Sequence, residues 1–464
     1  MSKTNPNARP RVAETGRTRS TRPAIAIALL GVGPSLALFA FACGESKAIS
    51  DPSDSGTGPD ACIICPPPER QEPAIRISAG GLNTCATRGD RVVRCWGSND
   101  VSALGGGKDD YVSHPPPGSE LPGRWASLPS RFTSSNSTAC SITAENEVAC
   151  WGDNSWGQTG TDPDASSQCA TNGRCTKTPA TVPGTEGSSY ASVGGEFSCA
   201  ASPKGVACWG INRSGKIGPT DAGTLTWSPN GVPGLDGISA LGSGRDYSCA
   251  RKAADGTIWC WGGARFGEIG RPEPAADAAT VMWDDQDHPI PWQVAGLRDT
   301  RALAVGGIHA CAILATGEVA CWGANGVGEL GHDPGLDGAC SGNAKCNGQP
   351  TIIPGMKDVR EIAVGLAYSC ALQEGGAVQC WGSNSEGQLG HDPALDGDAY
   401  ANQWSFRPQT VAGLSNVAHI VAGAAHTCVV TWGSEVWCWG ADSYGQIGLP
   451  DGGSSFRPVK TERL

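Results

Sequence analysis

Cysteines recur in pairs along the chain, and paired thiols either form disulfides or bind metal. The sequence has 21 Cys but only three Met. So many thiols are typical of an exported protein in an oxidising compartment and not of a reducing cytosol. Seven pairs have partners nine to eleven positions apart: Cys85 with Cys95, Cys140 with Cys150, Cys199 with Cys208, Cys249 with Cys260, Cys311 with Cys321, Cys370 with Cys380, and Cys428 with Cys438.

We predict a disulfide within each of these pairs. A structural zinc site needs four ligands, and one isolated pair supplies two, so zinc is the weaker alternative. Three closer pairs lie elsewhere and are predicted to form local bridges: Cys62 with Cys65, Cys169 with Cys175, and Cys340 with Cys346. The first has CxxC spacing, but no strand–helix pattern surrounds it as a redox motif requires. Setting Cys43 aside leaves an even number, which favours a separate role for Cys43.

Aromatic residues in the long segments between repeats are the candidate binding residues. Aromatic side chains are the anchors that protein interfaces favour. We predict that a partner binds through Tyr111, Trp227, Trp283, Trp404 and Phe406. The alternative is that each ring packs only against its own segment.

Two acidic segments, Gly331–Gly338 and Gly390–Asp398, share the motif Gly-His-Asp-Pro. Their carboxylates suggest calcium, but they lack the alternating oxygen ligands of a standard calcium loop, and Asp-Pro with Asp-Gly is ordinary turn chemistry. We therefore predict no metal and no cofactor. The cluster Asp284–His288 is interpreted as a solvated loop. No motif of a serine hydrolase, zinc protease or phosphate-binding loop occurs, so we predict a protein that is not an enzyme.

The elements that position these residues are repeats. The tripeptide Cys-Trp-Gly occurs seven times, with Trp at 96, 151, 209, 261, 322, 381 and 439. Each unit has two short apolar stretches around a turn, which predicts a β-hairpin, and small sheets of this kind must stack. We predict an all-β fold, a seven-bladed β-propeller with one disulfide per blade, over residues 75–464. The seven Trp are assigned to packing between blades.

The carboxyl end carries one strand-like segment that no repeat follows. Phe456–Lys460 matches Phe406–Val411, which precedes a repeat. We predict that Phe456–Lys460 pairs with the blade beginning near Ile75 and so closes the ring.

These units resemble the repeats of the regulator of chromosome condensation family. That family's pattern is Gly-x-x-His-Thr-Cys-Ala-Leu, a turn, then Trp-Gly-x-Asn-x-x-Gly-Gln-Leu-Gly. His309 and His426 occupy its His position, whereas Phe197, Tyr247 and Tyr368 replace it elsewhere, so we interpret it as a packing position. The resemblance implies protein binding through a propeller face, in functions as different as nucleotide exchange and β-lactamase inhibition.

The amino terminus is typical of an export signal. Six basic residues precede an apolar run from Ala24 to Ala42, and Cys43 follows it. We predict a signal peptide over residues 1–42, a lipidated Cys43 as in bacterial lipoproteins, and a flexible tether over residues 43–74. A secreted form and an uncleaved anchor are the alternatives.

Charge excludes one class of partner. The net charge is −11, and six of the 34 basic residues precede position 43. The chain after position 43 is therefore even more acidic and repels phosphate backbones. We predict a monomeric, non-enzymatic scaffold that is lipid-anchored in the outer membrane of a bacterial cell envelope. It binds a protein through its variable segments and binds no nucleic acid. A glycan or cell-wall binding module and a polysaccharide lyase or hydrolase are the alternatives.

Overall fold

The computed structural model describes residues 72–88, 92–107, 119–128, 130–131, 138–170, 173–220, 224–271, 288–392, 403–449 and 452–461. The predicted signal peptide, Cys43, Cys62, Cys65 and nearly all of the tether lie outside the described residues. Within the described ranges, no helix has the length and apolar character needed to span a membrane.

Seven small antiparallel sheets confirm the predicted seven-bladed β-propeller. Each blade takes its strands from one continuous stretch of chain. Blades one to three contain β1 (Arg76–Ala79), β2 (Asn83–Thr87), β3 (Val93–Gly97), β4 (Ser119–Glu120), β5 (Ser130–Arg131), β6 (Thr138–Ile142), β7 (Val148–Asp153), β8 (Ser167–Gln168), β9 (Arg174–Thr181), β10 (Tyr190–Val193), β11 (Phe197–Ser202), β12 (Gly205–Ile211) and β13 (Leu225–Val232).

The last four blades follow the same order. They contain β14 (Ile238–Ser243), β15 (Tyr247–Lys252), β16 (Ile258–Gly262), β17 (His288–Gln293), β18 (Ala302–Val305), β19 (His309–Ile313), β20 (Val319–Ala324), β21 (Gly338–Ala339), β22 (Lys345–Ile352), β23 (Val359–Val364), β24 (Tyr368–Gln373), β25 (Val378–Ser383), β26 (Trp404–Thr410), β27 (Val417–Ala422), β28 (His426–Thr431), β29 (Val436–Gly440) and β30 (Ser455–Lys460). Short 3-10 turns lie at Pro163–Ala165, Arg213–Gly215, Pro334–Leu336 and Ser341–Asn343.

The second and third strands of each blade form the hairpin that the sequence predicts. In blade six, Cys370 lies directly opposite Cys380, and Tyr368 opposite Gly382. A β-bulge follows between Cys380 and Gly382 on the side of β26. Gly382 has φ +101°, and a Cβ there would lie 2.6 Å from the Tyr368 Cα. Glycine at this position therefore lets the strand turn toward the next segment.

The prediction of one disulfide per blade is confirmed. The two cysteines of each bridge face each other across the hairpin, with Cα atoms 4.0–4.1 Å apart. The bonded pairs are Cys85 with Cys95, Cys140 with Cys150, Cys199 with Cys208, Cys249 with Cys260, Cys311 with Cys321, Cys370 with Cys380, and Cys428 with Cys438. Each bridge restricts the unfolded chain and thus favours the folded blade.

Two further predicted disulfides close small loops outside the hairpins. Cys169 is bonded to Cys175 in blade two, and Cys340 is bonded to Cys346 in blade five. Both loops come just before the long outer strands β9 and β22. The long connections of blades two and five are therefore covalently restrained where they return to the sheet.

The predicted closure of the ring is wrong. Segment β30 does not join the first blade, because it pairs with β29 as the fourth strand of blade seven, with Val459 opposite Cys438. The same holds for β26, which completes blade six on β25. These segments belong to the end of a blade and not to the start of the next, so every blade is complete before the chain leaves it.

The ring closes instead through packing and hydrogen bonds between blades one and seven. Ile77 and Trp96 pack in one apolar cluster with Val430 and Ile447. Across the same boundary, the Ala424 amide donates to the Gly80 carbonyl at 3.2 Å. Closure therefore needs no strand exchange.

The same hydrogen bond recurs at every boundary between neighbouring blades. The seven repeat Trp are fully buried, and each indole Nε1–H donates to a backbone carbonyl of the preceding blade at 2.8–3.0 Å. We call the acceptors the seam residues; each lies seven positions after its own blade's Trp. They are Ala103, Gln158, Lys216, Glu268, Glu329, Gln388 and Gln446, accepting from Trp151, Trp209, Trp261, Trp322, Trp381, Trp439 and Trp96.

A side-chain amide or carboxylate four positions before the seam residue holds this loop in six of the seven blades. In blade six, the Asn384 Oδ1 accepts from the Leu389 amide at 3.1 Å, and in blade seven Asp442 does the same for Ile447 at 2.7 Å. Blade four has Ala264 instead. The side chain thus replaces a backbone partner in a loop that lacks regular structure.

Seam side chains vary because the bond between blades uses only their carbonyls. Where the residue is Gln158, its Oε1 accepts from the Trp156 amide at 2.8 Å, and Glu268 accepts equivalently from Phe266 at 2.7 Å. Burial raises the pKa of Glu268 to about 8 and the pKa of Glu329 to about 7. At neutral pH Glu268 is therefore mostly protonated and Glu329 partly so, whereas an exposed Glu is ionised.

The two repeat histidines are buried between blades. His309 Nε2 lies 2.8 Å from the Ser369 hydroxyl, and His426 Nε2 lies 2.9 Å from the Thr84 hydroxyl. Burial lowers their pKa to about 3 and about 4, respectively. Both histidines are therefore neutral near pH 7, and each packs between blades and makes one hydrogen bond. This agrees with the prediction that the repeat His is a packing position.

Replacing Trp381 tests the bond between blades. Trp381→Phe keeps an aromatic ring but removes the donor to the buried Glu329 carbonyl, so we expect it to lower the free energy of unfolding by about 1–3 kcal/mol. Trp381→Ala also leaves a cavity and should cost about 3–5 kcal/mol. Denaturant unfolding of the oxidised protein measures both. A Trp381→Ala protein as stable as the parent would contradict the assignment.

Glu268→Gln tests the buried carboxyl through pH. The pKa of Glu268 is about 8 in the folded protein, against 4.5 for an exposed Glu. Between these values the folded state binds a proton that the unfolded state has lost, so stability falls as pH rises, by at most about 1.4 kcal/mol per pH unit, and levels off above about pH 8.

Gln fits the site, since Gln158 makes the equivalent bond, and Gln does not titrate. We therefore expect urea titrations to show that the free energy of unfolding of Glu268→Gln rises relative to that of the parent between about pH 5 and about pH 8. Glu374→Gln, at an exposed turn, is the matched control and should show no such trend. A difference between Glu268→Gln and parent that does not change with pH would refute a buried neutral Glu268.

Candidate functional site

The two ends of the propeller carry different connections. Turns between second and third strands are short, such as residues 203–204 and 374–377. Connections between third and fourth strands are long, from residues 212–224 at the shortest to 263–287 at the longest. Because every pairing is antiparallel, the long connections all begin at one end, which we call the loop end. The turns between first and second strands lie there too.

The three predicted aromatic residues that the structure describes do not all lie at one site. Trp227 lies in β13, and Trp404 and Phe406 lie in β26, so these three belong to outer strands and not to loops as expected. Tyr111 and Trp283 lie outside the described residues. Trp404 is the first residue of β26, and Trp227 and Phe406 are the third residues of β13 and β26.

Trp227 and Phe406 occupy equivalent positions in their blades. The repeat Trp is followed by a glycine, Gly210 in blade three and Gly382 in blade six. Trp227 and Phe406 each come one position after the residue that pairs with this glycine. The backbone of each lies against a positive-φ glycine of the preceding blade: a Cβ on Gly328 would lie 2.5 Å from the Phe406 Cα. Part of their role is therefore to pack one blade against the next.

Phe406 also lines an apolar pocket between blades five and six. The pocket has a volume of about 510 Å³, and its lining includes Leu336, Met356 and Pro408. Leu336 is 81% exposed. It sits on the 3-10 turn Pro334–Leu336, just before the loop closed by the disulfide between Cys340 and Cys346. A large exposed apolar side chain on a constrained loop is suited to contact with another protein.

The acidic motif beside this pocket forms an internal network. The Asp333 carboxylate accepts from the Gly335 amide at 2.8 Å and caps the 3-10 turn. His332 Nε2 lies 2.9 Å from the Asp337 carboxylate, to which Asn325 also donates. These contacts explain the motif as loop structure. Across the described ranges, no group of three or more His, Cys, Asp or Glu is arranged to hold a metal ion; most of the second motif, 393–398, lies outside them.

A second cavity opens at the loop end among blades two, three and four. We call it the charged cavity; its volume is about 440 Å³. Four cations and three carboxylates are among the residues that line it. They are Arg213, Lys216, Arg245, Arg265, Asp153, Glu196 and Asp246.

Lys216 forms the inner wall of the charged cavity. Its side chain is 1% exposed, and its Nζ donates to the Asp246 Oδ1 at 3.0 Å and to the Gly195 carbonyl at 2.7 Å. The ammonium also lies 5.3 Å from the centre of the Phe197 ring. A buried lysine needs such partners, because an unpaired charge away from water is strongly unfavourable.

Sequence reasoning missed this cavity. Aromatic anchors and catalytic motifs can be recognised in a sequence, whereas this cavity is built from charged residues that come from three different blades. One local signal was present: alignment of the repeats on Trp places Lys216 where three other blades have Gln. The arginines carry no comparable signal, because Arg245 and Arg265 meet only when blade four is formed.

Two family models match the last part of the chain. Both describe the Regulator of chromosome condensation (RCC1) repeat, one at residues 375–430 and the other at residues 301–329, 359–388 and 417–446. These ranges fall within blades five to seven. The first four blades diverge more from the family pattern.

Curated relatives match over part of their length. The human E3 ubiquitin-protein ligase HERC2 is 30% identical over 194 residues, 39% of this chain and 4% of HERC2. The mouse RCC1 domain-containing protein 1 is 28% identical over 194 residues, 35% of this chain and 49% of that protein. The chain thus covers a small part of the ligase and about half of the mouse protein.

Solved structures share the fold. Yeast RCC1 (Prp20), determined bound to Kap60, superposes with a TM-score of 0.64 at 19% identity, covering 83% of this chain and 85% of that one. Prp20p from Saccharomyces cerevisiae, studied for its binding to Gsp1p and histones, gives 0.63 at 19% identity, covering 84% and 88%. Residues 301–329 and 359–446 of this chain match repeats of the regulator of chromosome condensation family, and they lie within the last three blades of a seven-bladed propeller.

Proposed function

We propose that this protein is a non-enzymatic scaffold that binds another protein at the loop end of its propeller. The observation that carries the proposal is the asymmetry between the two ends. The connections between third and fourth strands, which differ most in length, all begin at the loop end, while the other end carries the short turns between second and third strands. A rigid frame with variable loops on one side is a common arrangement for protein recognition.

The apolar pocket lies between blades five and six, and the loop-end residues His332 and Leu336 border it on one side, so it supplies an anchor for such a partner. Leu336 presents its side chain to solvent, and Met356 and Phe406 line the recess beside it. Asp333 caps the turn that carries Leu336, and the disulfide between Cys340 and Cys346 closes the loop that follows. These restraints lower the entropy lost when a partner orders the segment. The partner is therefore a protein that inserts an apolar side chain between blades five and six.

Export fits the same proposal. Nine disulfides in the described part of the chain suit an oxidising compartment, and residues 1–43 have the composition of a lipoprotein signal. We propose that Cys43 is lipidated and holds the propeller in the bacterial envelope, with residues 44–74 as tether.

Leu336→Asp tests the binding surface. The full chain, made in an oxidising compartment, is used to capture proteins from the producing cell's envelope and medium, and the captured protein is then purified. We expect Leu336→Asp to weaken its affinity at least about tenfold, because a buried apolar contact becomes a buried charge. Titration calorimetry with the purified pair gives the affinities.

Ile290→Asp is the matched control, since Ile290 is 66% exposed on the outer strand of blade four and does not line the pocket. It should bind as the parent does. Equal weakening by both variants would place the interface elsewhere. Retention of polysaccharide with no protein would favour the glycan-binding alternative.

Cys43→Ser tests the anchor. We expect the parent to incorporate labelled palmitate and to sediment with membranes, and Cys43→Ser to lose the label and become soluble, because two or more acyl chains are needed for stable anchoring. Cys62→Ser keeps the first cysteine and is the control. A Cys43→Ser protein that still sediments with membranes would indicate an uncleaved anchor instead.

A further inference from the structure

The charged cavity holds a buried lysine at a position where the fold does not require one. The bond to Trp261 uses only the Lys216 carbonyl, and blades two, six and seven make the same bond with Gln as the seam residue. A Lys costs more to bury than a Gln. The ammonium therefore needs an explanation beyond the packing of blades three and four.

Lys216 has donor capacity left over. An ammonium has three N–H donors, and the described residues supply two acceptors, the Asp246 carboxylate and the Gly195 carbonyl. Asp246 itself is shared, because Arg245 lies 3.9 Å from its other oxygen. The lysine thus faces the cavity with one donor unfilled by the part of the chain that the structure describes.

The arginines around the cavity are only loosely paired. Arg245 is 66% exposed, with its closest carboxylate at 3.9 Å. Arg213 lies 3.9 Å from Glu196 and stacks 4.8 Å from the Trp156 ring centre. Arg265 lines the cavity, and its guanidinium makes no hydrogen bond or ion pair with any residue in the described ranges.

The carboxylates do not neutralise these cations equally. Asp153 is occupied by its own loop, accepting from the Ser155 amide at 3.0 Å, the Ser155 hydroxyl at 2.6 Å and Gln158 at 3.0 Å. Asp153 keeps its charge, so three carboxylates face four cations. The cavity therefore carries excess positive charge in a chain whose net charge is −11.

We propose that the charged cavity is an anion-binding site that takes a carboxylate or phosphate group. Lys216 donates from the wall to one oxygen, and the guanidinium of Arg265 binds from the open side, where planar donors suit carboxylate and phosphate oxygens. The volume of about 440 Å³ suits a small anionic metabolite or the anionic group of a larger ligand. This site goes beyond the proposed scaffold function, since it is separate from the pocket of blades five and six.

Calorimetric titration of the full-length oxidised protein with inorganic phosphate and with citrate, at low ionic strength, tests the proposal. We expect saturable binding of at least one anion with one site per chain, and competition by salt. Binding of phosphate alone or of citrate alone supports the proposal and identifies the preferred group. Absence of saturable binding for both anions would overturn it.

Two variants locate the site. Lys216→Gln introduces the seam residue that blades two, six and seven already carry, and Arg265→Gln removes a guanidinium that makes no hydrogen bond or ion pair within the described ranges, so both should fold. Each should weaken anion binding at least about tenfold. Lys204→Gln, at the short turn of blade three on the opposite end, removes the same charge as Lys216→Gln and should leave binding unchanged.

Equal binding by the parent and by a double variant carrying Lys216→Gln and Arg265→Gln would overturn the assignment, as would equal weakening by Lys204→Gln. Near-ultraviolet circular dichroism checks that each variant is folded. These results are independent of Leu336→Asp, because that variant leaves the charged cavity intact, and anion binding can fail while partner binding persists.

Discussion

The indole-to-carbonyl hydrogen bond between neighbouring blades is the interaction on which this structure depends. A four-stranded blade has two apolar faces and is stable only when both are covered by neighbours. The repeat Trp is fully buried at that boundary, and its Nε1–H donates to a carbonyl of the preceding blade. Since Trp96 donates to Gln446, the seventh bond also closes the ring, and the first and last blades need not exchange a strand.

This arrangement separates stability from specificity. The seam residues contribute a backbone carbonyl to the ring, so their side chains vary without breaking it. In blade three the seam residue is Lys216, which lies beside Asp246. In blade four it is the buried Glu268, whose pKa of about 8 keeps it mostly neutral at physiological pH. The same loops continue into the long connections of the loop end. Variation next to the seams therefore changes the binding surface while the frame persists.

Features encoded locally were predictable from the sequence, and features that depend on distant segments were not. The hairpins and their disulfides follow from a repeat in which Cys370 and Cys380 are ten residues apart. The predicted pairing of β30 with the first blade was wrong. A long connection separates the third strand of a blade from the fourth, so the sequence pattern does not show to which blade a fourth strand belongs. The charged cavity was missed because Lys216, Arg245 and Arg265 come together only through the stacking of blades.

Exchange of the indole protons tests the role of the Trp bonds most directly. With ¹⁵N-labelled tryptophan, the 16 indole N–H groups are followed by NMR after transfer to D2O, and single Trp→Phe variants assign them. The seven repeat Trp, including Trp96 at the closure, should exchange slowly, at rates set by global unfolding, whereas the exposed Trp227 exchanges fast. Fast exchange at Trp96 with slow exchange at the other six would contradict closure of the ring through this bond.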